Sequence, residues 1–268
     1  MLHGLFVPPF GPLADPRVLA DLAARAEAGG WDGVFLWDHV LYRDPATHVL
    51  DPWTALAAMA MTTSRVRLGA LVTPLARRRV QVLARQVAAL DLLSDGRMVL
   101  GVGLGLDSSG GELSRFGEEL DDRVRAAMLD ERLDVLDQLL SGEHVTHPLA
   151  DGVRFLPTPV QERVPVWVGA RWPNRRPLRR AARWDGVFPI DLEDPADLPG
   201  LLAVVAEERR ATSPFDVVVQ GRVSEPEERR AQWAEAGATW WVTRTDPFAL
   251  DLDEVRATAE RAPGPSVA

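Results

Sequence analysis

Short apolar runs alternate along the chain with longer segments whose apolar residues recur every three or four positions. The runs cover residues 3–7, 33–37, 66–72, 98–102, 164–168, 186–190, 216–220 and 239–243. Most are continuously apolar rather than alternating in polarity, which is how strands covered on both faces of a parallel sheet read. The intervening segments carry helix punctuation. Asp15 followed by Pro16 reads as an N-cap and first-turn proline, Leu19, Leu22 and Ala26 share a face, and Gly29-Gly30 stop the helix. Val80, Leu83, Val87 and Leu90 repeat the spacing ahead of Gly96. Leu129, Leu133, Leu136 and Leu140 do so between Asp121-Asp122 and Gly142. Ser224 and Glu227 have the spacing of a capping box before a helix ending near Gly237.

Eight strand–helix repeats in 268 residues predict an α/β fold, a single-domain (β/α)8 barrel of TIM type over residues 1–262. An open, doubly wound sheet is the rival. The widest interval between strands runs from Gly103 to Arg163. It begins with a polar Gly/Ser segment at 106–120, read as an active-site loop inserted between strands four and five. A helix and a Pro-rich excursion at 153–159 follow. Residues 263–268 are expected to form a disordered tail.

Composition narrows the chemistry. All 30 basic residues are Arg, so Schiff-base, pyridoxal-phosphate and P-loop lysine chemistry are excluded. There is no Cys, which removes disulfides, thiolate nucleophiles and Cys-ligated metals. A net charge of −9 argues against a nucleic-acid or acidic-membrane surface. No apolar run approaches the ~18 residues of a membrane span, and residues 1–10 lack the features of a signal peptide. A cytoplasmic location is expected.

In such barrels chemistry gathers at the C-terminal ends of the strands. Asp38-His39 directly follows the second run, where a His can move a proton or donate to a ring. Gly101-Val102-Gly103-Leu104-Gly105 is not a dinucleotide fingerprint, because Leu106 and Ser108 stand where its third glycine would fall. Gly169-Ala170-Arg171, with Asn174-Arg175-Arg176 beyond it, forms a candidate anion site. Arg222 and Arg244, after the last two runs, form a rival one. Trp37 and Trp172 could floor a ring-shaped ligand. The five His lack metal-ligand spacing, and His144 and His147 are expected at the surface, which disfavours a metal-dependent hydrolase.

Several stretches together resemble the luciferase-like monooxygenase superfamily. Residues 30–39 (Gly-Trp-Asp-Gly-Val-Phe-Leu-Trp-Asp-His) resemble its second-strand signature, and residues 67–74 its third. The most specific match is Gln86 to Asp91, then Leu93-Ser94-Asp95-Gly96-Arg97, leading to the glycines at 101–105. Residues 165–169 and Trp184-Asp185-Gly186 match the fifth and sixth strands, so the resemblance spans essentially the whole chain.

The resemblance implies reduced FMN or coenzyme F420 at the strand ends, and no metal. It places His39 near the cofactor ring as a catalytic residue, with Asp38 beside it. It implies a non-proline cis peptide at Ala70-Leu71 behind the ring. Val72, Thr73 and Gly103 would line the cofactor, and Gly169, Ala170 and Arg171 would hold its phosphate. A substrate would lie among Phe6, Phe10, Trp37, Leu106 and Trp172, with Arg244 and Arg222 available to an anionic group. The implied activity is that of a flavin-dependent oxidoreductase or monooxygenase on a small organic substrate. FMN would require a separate flavin reductase, whereas F420 would exchange hydride. Family members that oxidise sugar phosphates carry a Glu just after the fourth-strand glycines. Leu106 stands there, which disfavours sugar phosphates and makes a flavin-binding barrel without catalysis the alternative. A homodimer is implied as well, with Leu56, Met59 and Met61 as spare apolar surface.

Overall fold

All eight strand-like runs form strands, and the sheet they make closes on itself. A computed structural model describes residues 1–261. In chain order the first half contains β1 (Leu2–Val7), α1 (Pro16–Ala28), β2 (Gly33–Leu36), α2 (Pro52–Thr62), β3 (Arg67–Pro74), α3 (Val80–Leu93), β4 (Met98–Gly103) and α4 (Asp122–Leu140). An antiparallel hairpin, β5 (His144–His147) and β6 (Ala150–Arg154), comes next. The second half adds β7 (Val166–Ala170), α5 (Arg175–Ala181), β8 (Gly186–Pro189), α6 (Leu198–Glu208), β9 (Asp216–Arg222), α7 (Glu227–Glu235), β10 (Trp240–Arg244) and α8 (Leu252–Glu260).

The barrel order is β1-β10-β9-β8-β7-β4-β3-β2, and β1 pairs in parallel with both β10 and β2. That closure makes the fold a TIM-type barrel and rules out the open sheet. Among the described residues no helix is long and apolar enough to cross a membrane. The tail expected at 263–268 lies outside the described residues.

Side chains alternate across each strand. Leu5, Val34, Leu68, Leu100, Val168 and Val219 join the helices in the outer core. Phe6, Phe35, Val99, Trp167, Phe188, Val218 and Trp240 fill the barrel interior. At the N-terminal end Phe35, Trp167 and Trp240 form a plug, with ring centroids 5.3 to 5.7 Å apart. Asp216 secures it by accepting the indole N–H of Trp167 at 3.0 Å and of Trp240 at 3.2 Å. Burial pushes the Asp216 carboxyl up from its ordinary range, against the pull of those donors. The plug has room because Gly33 has no side chain: a Cβ there would come within 2.7 Å of the Phe35 ring and 3.1 Å of Trp240.

The family's most specific stretch also works away from the strand C-termini. Arg97 is buried and donates to the carbonyls of Ser94 (2.6 Å), Thr63 (2.9 Å), Val66 (2.9 Å) and Ala60 (3.2 Å). It ties α2 and the start of β3 to the turn before β4.

Three expectations are corrected. Ser224 does not cap a helix with Glu227: α7 starts after Pro226, at its N-cap, with no side-chain cap. Residues before a proline avoid the helical region, so Glu225 cannot begin the turn. Leu56 and Met59 are fully buried rather than spare surface, and of that trio only Met61 is exposed. Part of the Pro-rich excursion belongs to the hairpin, since β6 runs to Arg154.

Gly33→Ala is expected to lower stability by about 1–3 kcal/mol through overpacking of the plug. Urea denaturation followed by tryptophan fluorescence reads this, and an unchanged midpoint would contradict the account.

Candidate active site at the barrel mouth

With the N-terminal end plugged, the open space lies where the strands end. A cleft of about 2020 Å³ opens at the mouth and continues over the surrounding helices as far as Arg210 and Arg261. Its lining at the strand ends divides into two arcs. The ends of β3, β4, β7 and β8 present Leu71, Val72, Gly103, Gly169, Phe188 and Ile190, an apolar wall. The ends of β9, β10, β1 and β2 present Gln220, Arg222, Arg244, Thr245, Phe6, Trp37 and His39, a polar and aromatic wall.

His39 is held by a residue far along the chain. Its Nδ1 lies 3.0 Å from Oε1 of Glu112, whose side chain is completely buried. The other Glu112 oxygen accepts from the Val40 amide at 3.1 Å and from Arg77 at 3.3 Å. A carboxylate beside Nδ1 is satisfied by an Nδ1–H, which leaves Nε2 as the ring's second nitrogen in the cleft wall. Arg77 also donates to the Asp38 carboxylate at 2.9 Å, and Arg78 donates to both Asp38 oxygens at 2.7 and 2.8 Å. Trp53 adds an indole N–H at 3.3 Å. Burial opposes the charge on Asp38, but Arg78 and Arg77 outweigh it and hold its carboxyl below the ordinary range.

The loop after β4 delivers Glu112. Asp107 accepts from the amides of Leu113 and Ser114 at 2.9 and 2.8 Å, and these bonds hold its carboxyl low. Leu113 is buried beneath the loop. Gly110, at φ 134°, lies against the backbone of Tyr42, where a Cβ would come within 2.9 Å. The loop therefore lies directly on the segment that carries His39.

The expected site residues divide by position. Trp37, His39, Leu71, Val72, Gly103, Leu106, Gly169, Ala170, Arg171 and Arg244 line the cleft. Asp38 borders it, but its side chain is fully buried among arginines, so it holds its neighbours rather than meeting a ligand. Ala70 and Thr73 are fully buried outside the lining. The cis peptide is Leu71–Val72, one bond later than expected at Ala70-Leu71. The register with β4 slips between Ala70 and Thr73, so Leu71 and Val72 both face the cleft. Phe10 is fully buried behind Trp37, at 6.0 Å between centroids, and does not reach the cleft. Trp172 packs toward Gly200 of α6 instead of flooring the site.

The sequence and the fold both match known proteins. The sequence model of the luciferase-like monooxygenase family matches residues 4–266. This chain belongs to that family. A curated relative named F420-dependent glucose-6-phosphate dehydrogenase, from Nakamurella multipartita, is 32% identical over 221 residues, covering 78% of this chain and 64% of the relative. The chain thus spans just under two thirds of that relative's length. The F420-dependent tetrahydromethanopterin reductase of Methanopyrus kandleri has the same fold, with a TM-score of 0.77 at 16% identity over 97% of this chain and 98% of that one. So does a monooxygenase from Streptomyces bottropensis, with a TM-score of 0.73 at 19% identity over 97% and 96%.

For this luciferase-like chain, sequence reasoning missed Glu112, Arg77, Arg78 and Tyr42. The run Arg77-Arg78-Arg79 directly after β3 was a usable signal, being a concentrated charge at a strand end opposite Asp38. Nothing local marks Glu112 as the partner of a His 73 positions earlier. Tyr42 packs on His39 and on Phe10, each at 4.9 Å between centroids, and burial raises its phenol. Among the described residues no group of three or more His, Asp or Glu is placed to hold a metal ion.

Because the Asp38 pKa is depressed on folding, the stability it contributes is complete above its unfolded value of about 3.9 and is lost as pH falls through the lower folded value. Asp38→Asn is expected to cost about 3–5 kcal/mol at neutral pH by leaving buried guanidinium charge uncompensated, and to shrink the loss of stability in acid. Urea midpoints from pH 7 down to pH 3 test both. A variant as stable as the parent at neutral pH would contradict the role given to Asp38.

Proposed function

We propose that this chain is an oxidoreductase that works with a reduced deazaflavin or flavin, F420 in preference to FMN, on a small organic substrate. The observation that carries the reading is the His39–Glu112 couple set across from a smooth apolar wall. That wall suits a flat ring. A Cβ on Gly103 would meet Val72 at 2.5 Å, and one on Gly169 would lie 3.3 Å from it, so both glycines leave Val72 as an even surface. Leu71, Val72, Gly103 and Gly169 would hold the ring, and Ala170 and Arg171 its phosphate, with Arg171 sharing its present ion pair with Asp191.

When bound, such a group supplies the two-electron step, exchanging a hydride with the substrate. The chain's own task is the proton. Hydride exchange at a carbon bearing oxygen requires a proton to leave or reach that oxygen, and His39 Nε2 is the group in the wall that can take or give it. Glu112 keeps Nδ1 protonated and the ring oriented. Arg77 holds Glu112, and Asp38 holds Arg77. Phe6 and Trp37, 5.7 Å apart, restrict water around the couple.

The relative at 32% identity that bears an F420-dependent name supports the choice of F420. Leu106 suggested a barrel lacking its acid, but Glu112 brings a carboxylate to His39 from six residues further on, and this favours catalysis over a binding-only barrel.

Anaerobic titration is expected to give tight binding of reduced F420 and weaker binding of reduced FMN; binding of neither by folded protein would overturn the proposal. His39→Ala is expected to lower kcat by about 10²–10⁴-fold with the affinity for the bound group unchanged, while the protein still unfolds cooperatively at a lower urea midpoint. Glu112→Gln should act in the same direction with a smaller loss. Steady-state kinetics beside the binding titration check both, and an unchanged kcat in His39→Ala would remove the couple from the mechanism.

A further inference from the structure

The arginines at the cleft mouth are not equivalent. Arg171 pairs with Asp191 and Arg179 with Glu208, while Arg180 and Arg183 share Asp130. Arg222 and Arg244, like Arg123 and Arg176 of the flanking helices, line the cleft with no ion-pair or hydrogen-bond partner for their side chains among the described residues, and of these four only Arg222 and Arg244 stand on barrel strands. They are also register partners on adjacent strands, Arg244 beside Arg222. Val218 on β9 and Val242 on β10 point into the barrel, so the residues four and two positions on share that inward face. Two like charges side by side repel, in a chain whose net charge of −9 leaves carboxylates to spare elsewhere.

The polar groups near them are also unspent. Gln220, one step down β9 on the same face, lines the cleft with its amide free of side-chain hydrogen bonds among the described residues. Thr245 Oγ1 and Trp37 Nε1 are buried atoms without a protein partner, and both residues line the cleft. Both flank Phe6: the Thr245 amide donates to its carbonyl at 3.3 Å, and Trp37 packs on its ring. Those two atoms are shut off from the cleft, so among these groups Gln220 is the one offered to a ligand.

We infer that the substrate of this site carries an oxyanion, a carboxylate or a phosphate, held by Arg222 and Arg244, and at least one further oxygen that meets Gln220. This rests on the proposed function and adds the substrate class to it. The oxyanion is anchored at β9 and β10, and the body of the molecule crosses Phe6 toward His39. The arc runs β9, β10, β1, β2 without interruption. The guanidinium pair matches the planar, bidentate geometry of either oxyanion.

The test uses the full chain without any redox partner. Inorganic phosphate and malonate are each titrated by calorimetry into the parent, into Arg171→Gln, into the double variant Arg222→Gln/Arg244→Gln, and into Arg222→Lys/Arg244→Lys. Saturable binding is expected in the parent. It should weaken at least tenfold in the Gln double variant and less in the Lys double variant, which keeps the charges but loses the bidentate geometry. The tighter of the two anions tells phosphate from carboxylate. Absence of saturable binding in the parent would overturn the inference. So would binding that Arg171→Gln abolishes and the Gln double variant keeps, because the anion would then belong to the opposite arc. Urea midpoints confirm that each variant is folded. Anion binding with no F420 or FMN binding would leave the Arg222–Arg244 site standing and sink the cofactor reading; the reverse result would sink only this inference.

Discussion

Two buried carboxylates share one guanidinium, and the mouth of the barrel is organised around that contact. Arg77 donates to Asp38 at 2.9 Å and to Glu112 at 3.3 Å. Asp38 follows β2, Arg77 follows β3, and Glu112 comes from the loop after β4, so three strand ends are tied at one point. Burying such charges is expensive unless each is paired and its remaining hydrogen-bonding capacity is used. Here Arg78, the Val40 amide and the Trp53 indole complete the set. Arg132 of α4 holds the backbone of the arginine segment from behind, donating to the carbonyls of Leu75 and Arg78 at 3.0 and 3.1 Å. Both carboxylates are fully engaged while Arg77 Nε and Arg78 Nε stand without a partner, and a network tied this closely has few alternative arrangements and orients His39.

The barrel gives that network its setting through an asymmetry along its axis. Aromatic side chains at the N-terminal end fill the lumen, and Asp216 fixes two of their indoles. Small residues at the other end leave it open: Gly103 and Gly169 stand on inward positions where earlier residues of the same strands, Val99 and Trp167, are large. The chain therefore spends its bulk on closure at one end and its glycines on access at the other. Around the mouth, an apolar arc stands opposite a polar one, so a flat ring and a polar substrate have separate walls to lean on.

Much of this was legible in the sequence. The eight apolar runs became strands with ends shifted by only a few residues, because a parallel strand covered on both faces must be continuously apolar. Asp15-Pro16 and Asp121-Asp122 began helices where their side chains predict, since capping is a contact between neighbours. His39, at the end of such a run, could be placed at the mouth from topology alone. The stretch from Ser94 to Arg97, the clearest mark of the family, lies away from the cleft, where Arg97 gathers carbonyls from α2 and β3. A strong sequence motif there reports a demand of the fold.

What the sequence determined by itself was therefore whatever depends on periodicity and on near neighbours: the strands, most helix starts, the (β/α)8 class and the ring of strand ends where chemistry belongs. The tertiary structure decided which side chains at those ends face the cleft and which carboxylate serves His39. Ala70, Thr73 and Phe10 lie near the mouth along the chain but do not line it: Ala70 shares the outer face of β3 with Leu68, the register slip beside β4 comes between it and Thr73, and Phe10 packs behind Trp37. Glu112 is 73 residues from His39, in a loop whose course is set by glycines and by the Asp107 cap. Pairing across such a distance follows from closure of the barrel in three dimensions, and no local pattern encodes it.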